Sequence, residues 1–392
     1  MGHSERAHAL LSASGAHRWL VCTRSARLEE QFPDTTSEAA AEGTLAHELA
    51  ELKVRNFAYP AGFGKQKLAA GIRKLKKDKL WQDEMQGYTD DYLEYIKASA
   101  LAFQSAPYIA VEKQVDLSGY IPDGFGTADC ILISGRILHV IDFKYGKGVP
   151  VSAEENPQMK LYALGAYTAY SMLYPIEKVK LSIVQPRLNS ISEWECSLGH
   201  ILKFGGYVKQ RASLAIKGEG PYAPGVNQCR FCRAKAVCRA RAEKNVELAF
   251  AVTKKPALLE NGEIGEFLQK GEDVAKWLED LKDHALQESL AGREVPGWKA
   301  VEGRGSREWT DMDAAFAVLQ QHGTPEALLW ERKPLTLAQV EKTVGKKEFS
   351  EYVSEYVAKK PGKPALVKAS DKRPAITNKI TAEEAFKEEM KS

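Results

Sequence analysis

The stretch from Thr127 to Lys144 constrains this chain more than any other. Two apolar runs, 130–133 and 137–141, flank Ser134 and Gly135, a pair of the kind that closes short hairpins. The pattern predicts a β-hairpin with Asp129 on its first strand and Asp142 and Lys144 on its second. Side chains two apart on a strand share a face, so Asp142 and Lys144 project together. A hairpin of this length brings Asp129 beside them. Two carboxylates and an ammonium at the end of a buried sheet are unfavourable unless something uses them. A divalent metal is such a user.

The rest of the chain supplies helices and strands around this hairpin. A helix is expected over 9–22, capped by Ser12 or Ser14, with Cys22 at its end. A second, over 37–57, carries His47 and Glu51 on one face, which alone would suit an exposed pair. A third, over 81–103, has an apolar stripe of Met85, Tyr88, Tyr92 and Ile96 suited to a core. A strand over 109–117 carries Glu112, either an additional acid or a residue facing solvent or an ion pair. Asn156 and Pro157 form a good helix start, and that helix bears Gln158 and Tyr162 one turn apart. Strands over 178–185 and 192–198 and a helix over 199–216 follow. The element order predicts a mixed α/β core flanked by helices.

Beyond the core come a long amphipathic helix over 264–290, a small strand pair around Gly303, and short helices over 311–322 and 336–344. The tail from Lys359 is Lys/Pro-rich and expected to be extended or disordered. We therefore divide the chain into a core domain (1–250), a smaller α+β region (251–357) and a tail (358–392).

Composition bounds the function classes. The 392 residues leave room for two or three domains, and 44% hydrophobic content excludes global disorder. No run of 18 apolar residues exists, so no membrane span is expected. The first residues lack the apolar core of a signal peptide, which predicts a cytoplasmic protein. Its six cysteines are then not expected to form structural disulfides, and the clustered ones are expected to bind metal or a cluster. The net charge of +3 does not by itself argue for nucleic acid, although 65–79 is a basic run.

Oxygen ligands suit Mg²⁺ or Mn²⁺. Asp129 and Asp142 supply them, and the Phe143 carbonyl between Asp142 and Lys144 is a further donor. Lys144 is placed to orient a water or to meet developing negative charge, as phosphodiester hydrolysis requires. By spacing alone, an edge-strand ion pair is the better fit.

Four motifs in order add to this reading: Gly43-Thr44-Leu-Ala-His47, Gly126-Thr-Ala-Asp129, Asp142-Phe-Lys144 and Gln158-Met-Lys-Leu-Tyr162. The set resembles the PD-(D/E)xK nuclease superfamily, in particular the RecB-like branch that includes the CRISPR-adaptation exonucleases. The resemblance covers roughly residues 10–245 and implies a restriction-endonuclease-like mixed sheet. It implies His47, Asp129 and Asp142 as metal ligands and Lys144 as catalytic. Gln158 and Tyr162 are implied as near-site residues that contact DNA or orient the lysine. Asp142 stands where many relatives have Glu.

Cys229, Cys232 and Cys238 place three thiols in about ten residues, whereas a soft metal or an iron–sulfur cluster wants four. Cys130 and Cys196 fall in predicted strands and suit small apolar positions. The branch includes members with a [4Fe–4S] cluster held by one N-terminal cysteine and three clustered ones, and Cys22, Cys229, Cys232 and Cys238 match that arrangement. A four-cysteine zinc site and free thiols are the alternatives. Arg230, Arg233, Lys235, Arg239 and Arg241 make the region basic and suggest a second DNA-contact surface.

The resemblance, which extends to an uncharacterised phage and prophage family, implies a metal-dependent DNA exonuclease. Its setting would be recombination or replication, acting on single- or double-stranded ends beside a recombination or single-strand-binding protein. A non-catalytic DNA-binding or assembly protein with the same fold is the alternative.

Overall fold

The computed structural model describes residues 10–33, 37–250 and 261–301, and beyond these 311–321, 325–326, 329, 337–353 and 356–357. Five strands form one sheet whose spatial order is that of the chain: β1 (Tyr108–Asp116), β2 (Phe125–Ser134), β3 (Ile137–Phe143), β4 (Lys178–Gln185) and β5 (Ser190–Ser197). Every neighbouring pair is antiparallel except β3–β4, which is parallel. A parallel step needs a crossover, and α6 (Pro157–Tyr170) makes it. The mixed α/β class expected from the element order is thus the observed one.

The sheet separates two cores. On one face α3 (Glu38–Ala58), α4 (Lys65–Leu75) and α5 (Glu84–Leu101) pack around Leu49, Met85, Tyr92 and Phe143. On the other, α6 and α7 (Leu198–Lys217) pack with the N-terminal turns around Ile131, Val140 and Leu161. Strands covered on both faces read as nearly continuous apolar runs, as β2 and β3 do. The hairpin closes one residue later than expected. Ser134 still pairs with Ile137, and the two-residue loop is Gly135-Arg136, with Gly135 at φ +55°.

The N-terminal helix is shorter than its sequence suggests. α1 spans only Ala16–Trp19, and α2 covers Ser25–Glu29. Neither serine caps α1 as expected; Gly15 is the residue before the helix, and its N–H donates to Ser12 Oγ at 3.2 Å. By contrast Asn156 caps α6 as the sequence indicates, and Ser37 caps α3. The basic run 65–79 is largely α4.

Contacts divide the chain into two compact units, Met1–Val301 and Glu302–Ser392. The first also holds α8 (Val226–Cys229), α9 (Arg239–Phe250) and the long α10 (Asn261–Leu290). In the second are α11 (Met312–Gln321), α12 (Leu337–Val344) and α13 (Lys346–Val353). Beside the expected strand pair, Val295 bridges Trp298 in isolation. Gly303 and 306–309 lie outside the described residues, as does the tail. Among the described residues, no helix is long and apolar enough to cross a membrane.

Candidate active site and cysteine cluster

The acidic residues sit where two strands change face together. Along β2, Ile131 and Ile133 point to the α6 side and Cys130 and Leu132 to the α3 side, yet Ala128 joins the α6 side. Along β1, Ile109 and Val111 face α3, while Val115 and Leu117 face α6. An unbroken strand would keep Val111 and Val115 on one face. The switch falls at Glu112 and Asp129, between the pairs Val111–Cys130 and Lys113–Ala128. Glu112 has a left-handed backbone, φ +48°, which re-aims its side chain as local ladder disruptions do.

Asp129 is thereby shared between both faces of the sheet. The β2–β3 ladder ends at Cys130–Ile141, and the Phe143 N–H instead donates to Asp129 Oδ2 at 2.7 Å. The same oxygen lies 3.6 Å from His47 Nδ1. The His47 ring packs edge-on against Phe143, centroids 5.1 Å apart. One donor atom each from His47, Glu112 and Asp129 lie within 4.8 Å of one another. All three line a cleft of about 630 Å³ with Gly43, Thr44, Lys144 and Tyr162.

Asp142 stands behind this trio and reaches the cleft through Lys144. It is buried, and the Lys144 ammonium lies 3.0 Å from Oδ2 and 3.3 Å from Oδ1. The approach to Oδ2 is off the hydrogen-bonding direction, so that buried oxygen carries no hydrogen bond. Lys144 also donates to Gln158 Oε1 at 3.3 Å, and Gln158 Nε2 donates to the Tyr162 hydroxyl at 2.9 Å. This chain depends on the start of α6, where Asn156 accepts the N–H groups of Gln158 and Met159 at 3.0 and 3.2 Å. Gly126 is needed for the same reason: a Cβ there would stand 2.8 Å from the Tyr162 ring.

Burial raises the Asp129 carboxyl well above the ordinary carboxylate range, and the negative charges of Asp142 and Glu112 push it further. Asp142 is raised by burial against the opposing pull of Lys144. For Lys144 burial acts downward, but Asp142 and Asp129 outweigh it and the net shift is upward. Excess negative charge gathered in low dielectric is what a divalent cation relieves.

The four candidate cysteines also converge. Cys22, Cys229, Cys232 and Cys238 line one small cavity with Arg18, Tyr222 and Lys235. The first three are buried. Burial raises the Cys22 and Cys229 thiols, and takes Cys232 up to about 12. Cys130 and Cys196 lie elsewhere, in β2 and β5.

A family model described as a protein of unknown function (DUF2800) matches residues 8–374. The chain belongs to that family. A solved structure, the crystal structure of SSO0001, is similar over 56% of this chain and 95% of that chain, at 17% identity and a TM-score of 0.24.

In this DUF2800 chain the sequence-level site is thus assembled in space, with three amendments. Glu112, which the sequence left between an acid of the site and an ordinary strand residue, joins His47 and Asp129. Arg187 carries no local sequence signal. It follows β4, bonds Glu42 at 2.8 Å and Glu84 at 3.0 Å, and so holds α3 and α5 together one residue from Gly43. The basic cysteine region is less available to phosphate than its composition suggests. Arg241 is buried against Asp273 and Asp280, and Lys235 also bonds Asp280.

Proposed function

We propose that the chain is a metal-dependent deoxyribonuclease that hydrolyses DNA from its ends. The observation that carries this reading is the convergence of His47, Glu112 and Asp129 on one cleft with Lys144. The donor set fits a hard divalent cation: two carboxylates, one imidazole and a buried Asp142 oxygen that lacks a hydrogen bond. His47, Asp129 and Glu112 would hold Mg²⁺ or Mn²⁺, with Asp142 and the Phe143 carbonyl as further donors. The cation would neutralise phosphate charge and acidify the attacking water.

The chain's own residues do the rest. Lys144 serves as a hydrogen-bond donor and positive charge toward phosphate or water. Asp142 and Gln158 hold its ammonium in place, and Tyr162 holds Gln158. The open cleft beside Gly43 admits the strand.

The four cysteines, three of them buried and all on one cavity, fit a thiophilic group. We assign them to a [4Fe–4S] cluster, with zinc as the alternative. The phage or prophage setting, a recombination or single-strand-binding partner and a cytoplasmic location rest on the sequence resemblance.

The test is digestion of 5′- and 3′-labelled single- and double-stranded DNA with Mg²⁺ or Mn²⁺. Asp142→Asn and Lys144→Ala should each lower the rate by about 10²- to 10³-fold, with melting temperature retained. Full digestion by either variant overturns the assignment. A wild-type chain that binds DNA and cuts none of these substrates favours the non-catalytic reading.

A further inference from the structure

One stripe of α10 grips the chain on both sides of Cys238. Asp273, Trp277 and Asp280 are spaced four and three residues apart, which places them on one helix face. Before Cys238, Lys235 Nζ lies 2.7 Å from Asp280 Oδ1, and Trp277 Nε1 donates to the Ala236 carbonyl at 3.1 Å. After it, Arg241 donates to Asp280 Oδ2 at 2.7 Å and to Asp273 Oδ1 at 2.8 Å. Arg241 is 1% exposed, and both aspartates are buried.

A second clasp grips the chain between Cys232 and Cys238. Buried Glu29 accepts the Arg233 N–H at 2.8 Å, and Arg18 Nε lies 2.8 Å from its second oxygen. Glu29 ends α2, the helix that follows Cys22. Two buried carboxylate clasps therefore hold the chain on either side of Cys238, between Arg233 and Arg241, one from each end of the unit.

Buried ion pairs are an expensive way to gain stability, because desolvation offsets most of their attraction. Their best-attested use is to fix one arrangement among several. Here the arrangement fixed is the position of Cys238 in the cavity it shares with Cys22, Cys229 and Cys232. None of the clasp residues lines the acidic cleft.

We infer that Asp273 and Asp280 are positioning residues for the cysteine-bound metal group, acting through Arg241 and Lys235 to keep the thiol shell closed. The inference rests on the proposed reading of the four cysteines as metal ligands. It makes α10 part of that site, although the helix contributes no ligand.

The test compares the full chain with the Asp273→Asn/Asp280→Asn double variant, with Trp277→Phe, and with Glu288→Gln as a control on the same helix. After anaerobic reconstitution, iron and zinc are counted per chain, and loss of metal to a chelator is followed by absorbance. The wild type should hold about four irons, or one zinc. The double variant should release it about 10- to 100-fold faster, the usual scale for residues that orient metal ligands. Trp277→Phe should fall between, and Glu288→Gln should match the wild type. Equal release from all four proteins overturns the inference and leaves the cysteine reading standing. A wild type that takes up neither metal overturns both. If the double variant does not fold, Trp277→Phe decides.

Discussion

Glu112 and Asp129 face each other at the break in the β1–β2 ladder, and Glu112 holds a left-handed backbone there with φ +48°. A side chain with a Cβ in this region carries about 1–3 kcal/mol of strain. Asp129 is already raised by burial, by Asp142 and by Glu112 itself. Strain and repulsion meet at one point of an otherwise regular sheet.

Glu112→Gly removes both. The metal-free variant should melt higher than the wild type, by about 1 kcal/mol of stability. Mn²⁺ should raise its melting temperature less than it raises that of the wild type. Thermal melts with and without Mn²⁺ read both effects. A variant that is destabilised without metal, yet equally stabilised by it, would show Glu112 to be structural.

Gly43 offers the reverse separation of stability and activity. It lies within α3, and a Cβ placed on it meets nothing within 4 Å. Leu is the better helix former by about 0.5–1 kcal/mol. Gly43→Leu should therefore fold at least as well as the wild type while its side chain fills the cleft. The expected result is an unchanged or higher melting temperature with a raised KM for DNA; unaltered digestion kinetics would place the substrate elsewhere.

His139 gives a prediction in pH. It is buried, and its Nε2 lies 2.7 Å from Ser182 Oγ, which also accepts from the Tyr95 hydroxyl at 2.8 Å. Burial, and then the Lys180 charge, lower its pKa from 6.5 to about 3, against the smaller upward pull of Glu193. The native state thus keeps the neutral ring while the unfolded chain takes up a proton. The resulting stability is complete above pH 6.5, where neither state is protonated. It is lost at about 1.4 kcal/mol per pH unit as the pH falls toward 3. Urea midpoints should fall more steeply between pH 6.5 and 4 for the wild type than for His139→Gln. Parallel curves would refute the assignment.

Much of this architecture was legible in the sequence, for local reasons. The hairpin follows from apolar runs around a glycine turn, and α6 from an Asn-Pro start. Both signals act over a few residues. Asp142, Lys144, Gln158 and Tyr162 were readable because their spacing encodes a shared face. Glu112 was readable only as one of two alternatives, because no local pattern marks a left-handed glutamate. α1 is shorter than its sequence suggests, and Gly15 stands before it where a serine is expected. Arg241 looked like surface charge because its partners are 32 and 39 residues away.

The first helices are tied down almost entirely by residues made much later. Arg211 and Tyr207 donate to the Leu20 carbonyl, Arg27 to the Ile216 carbonyl and Thr23 to the Glu219 carbonyl, across 187 to 196 positions of sequence. Ser12 and Ser14, just before these helices, form one wall of the acidic cleft. During synthesis, then, the carboxylates and Lys144 emerge long before that wall can be fixed. A nascent chain stopped after β5 would carry every acid of the site in an unfinished groove, and competence would arrive only with the segment that anchors its own beginning.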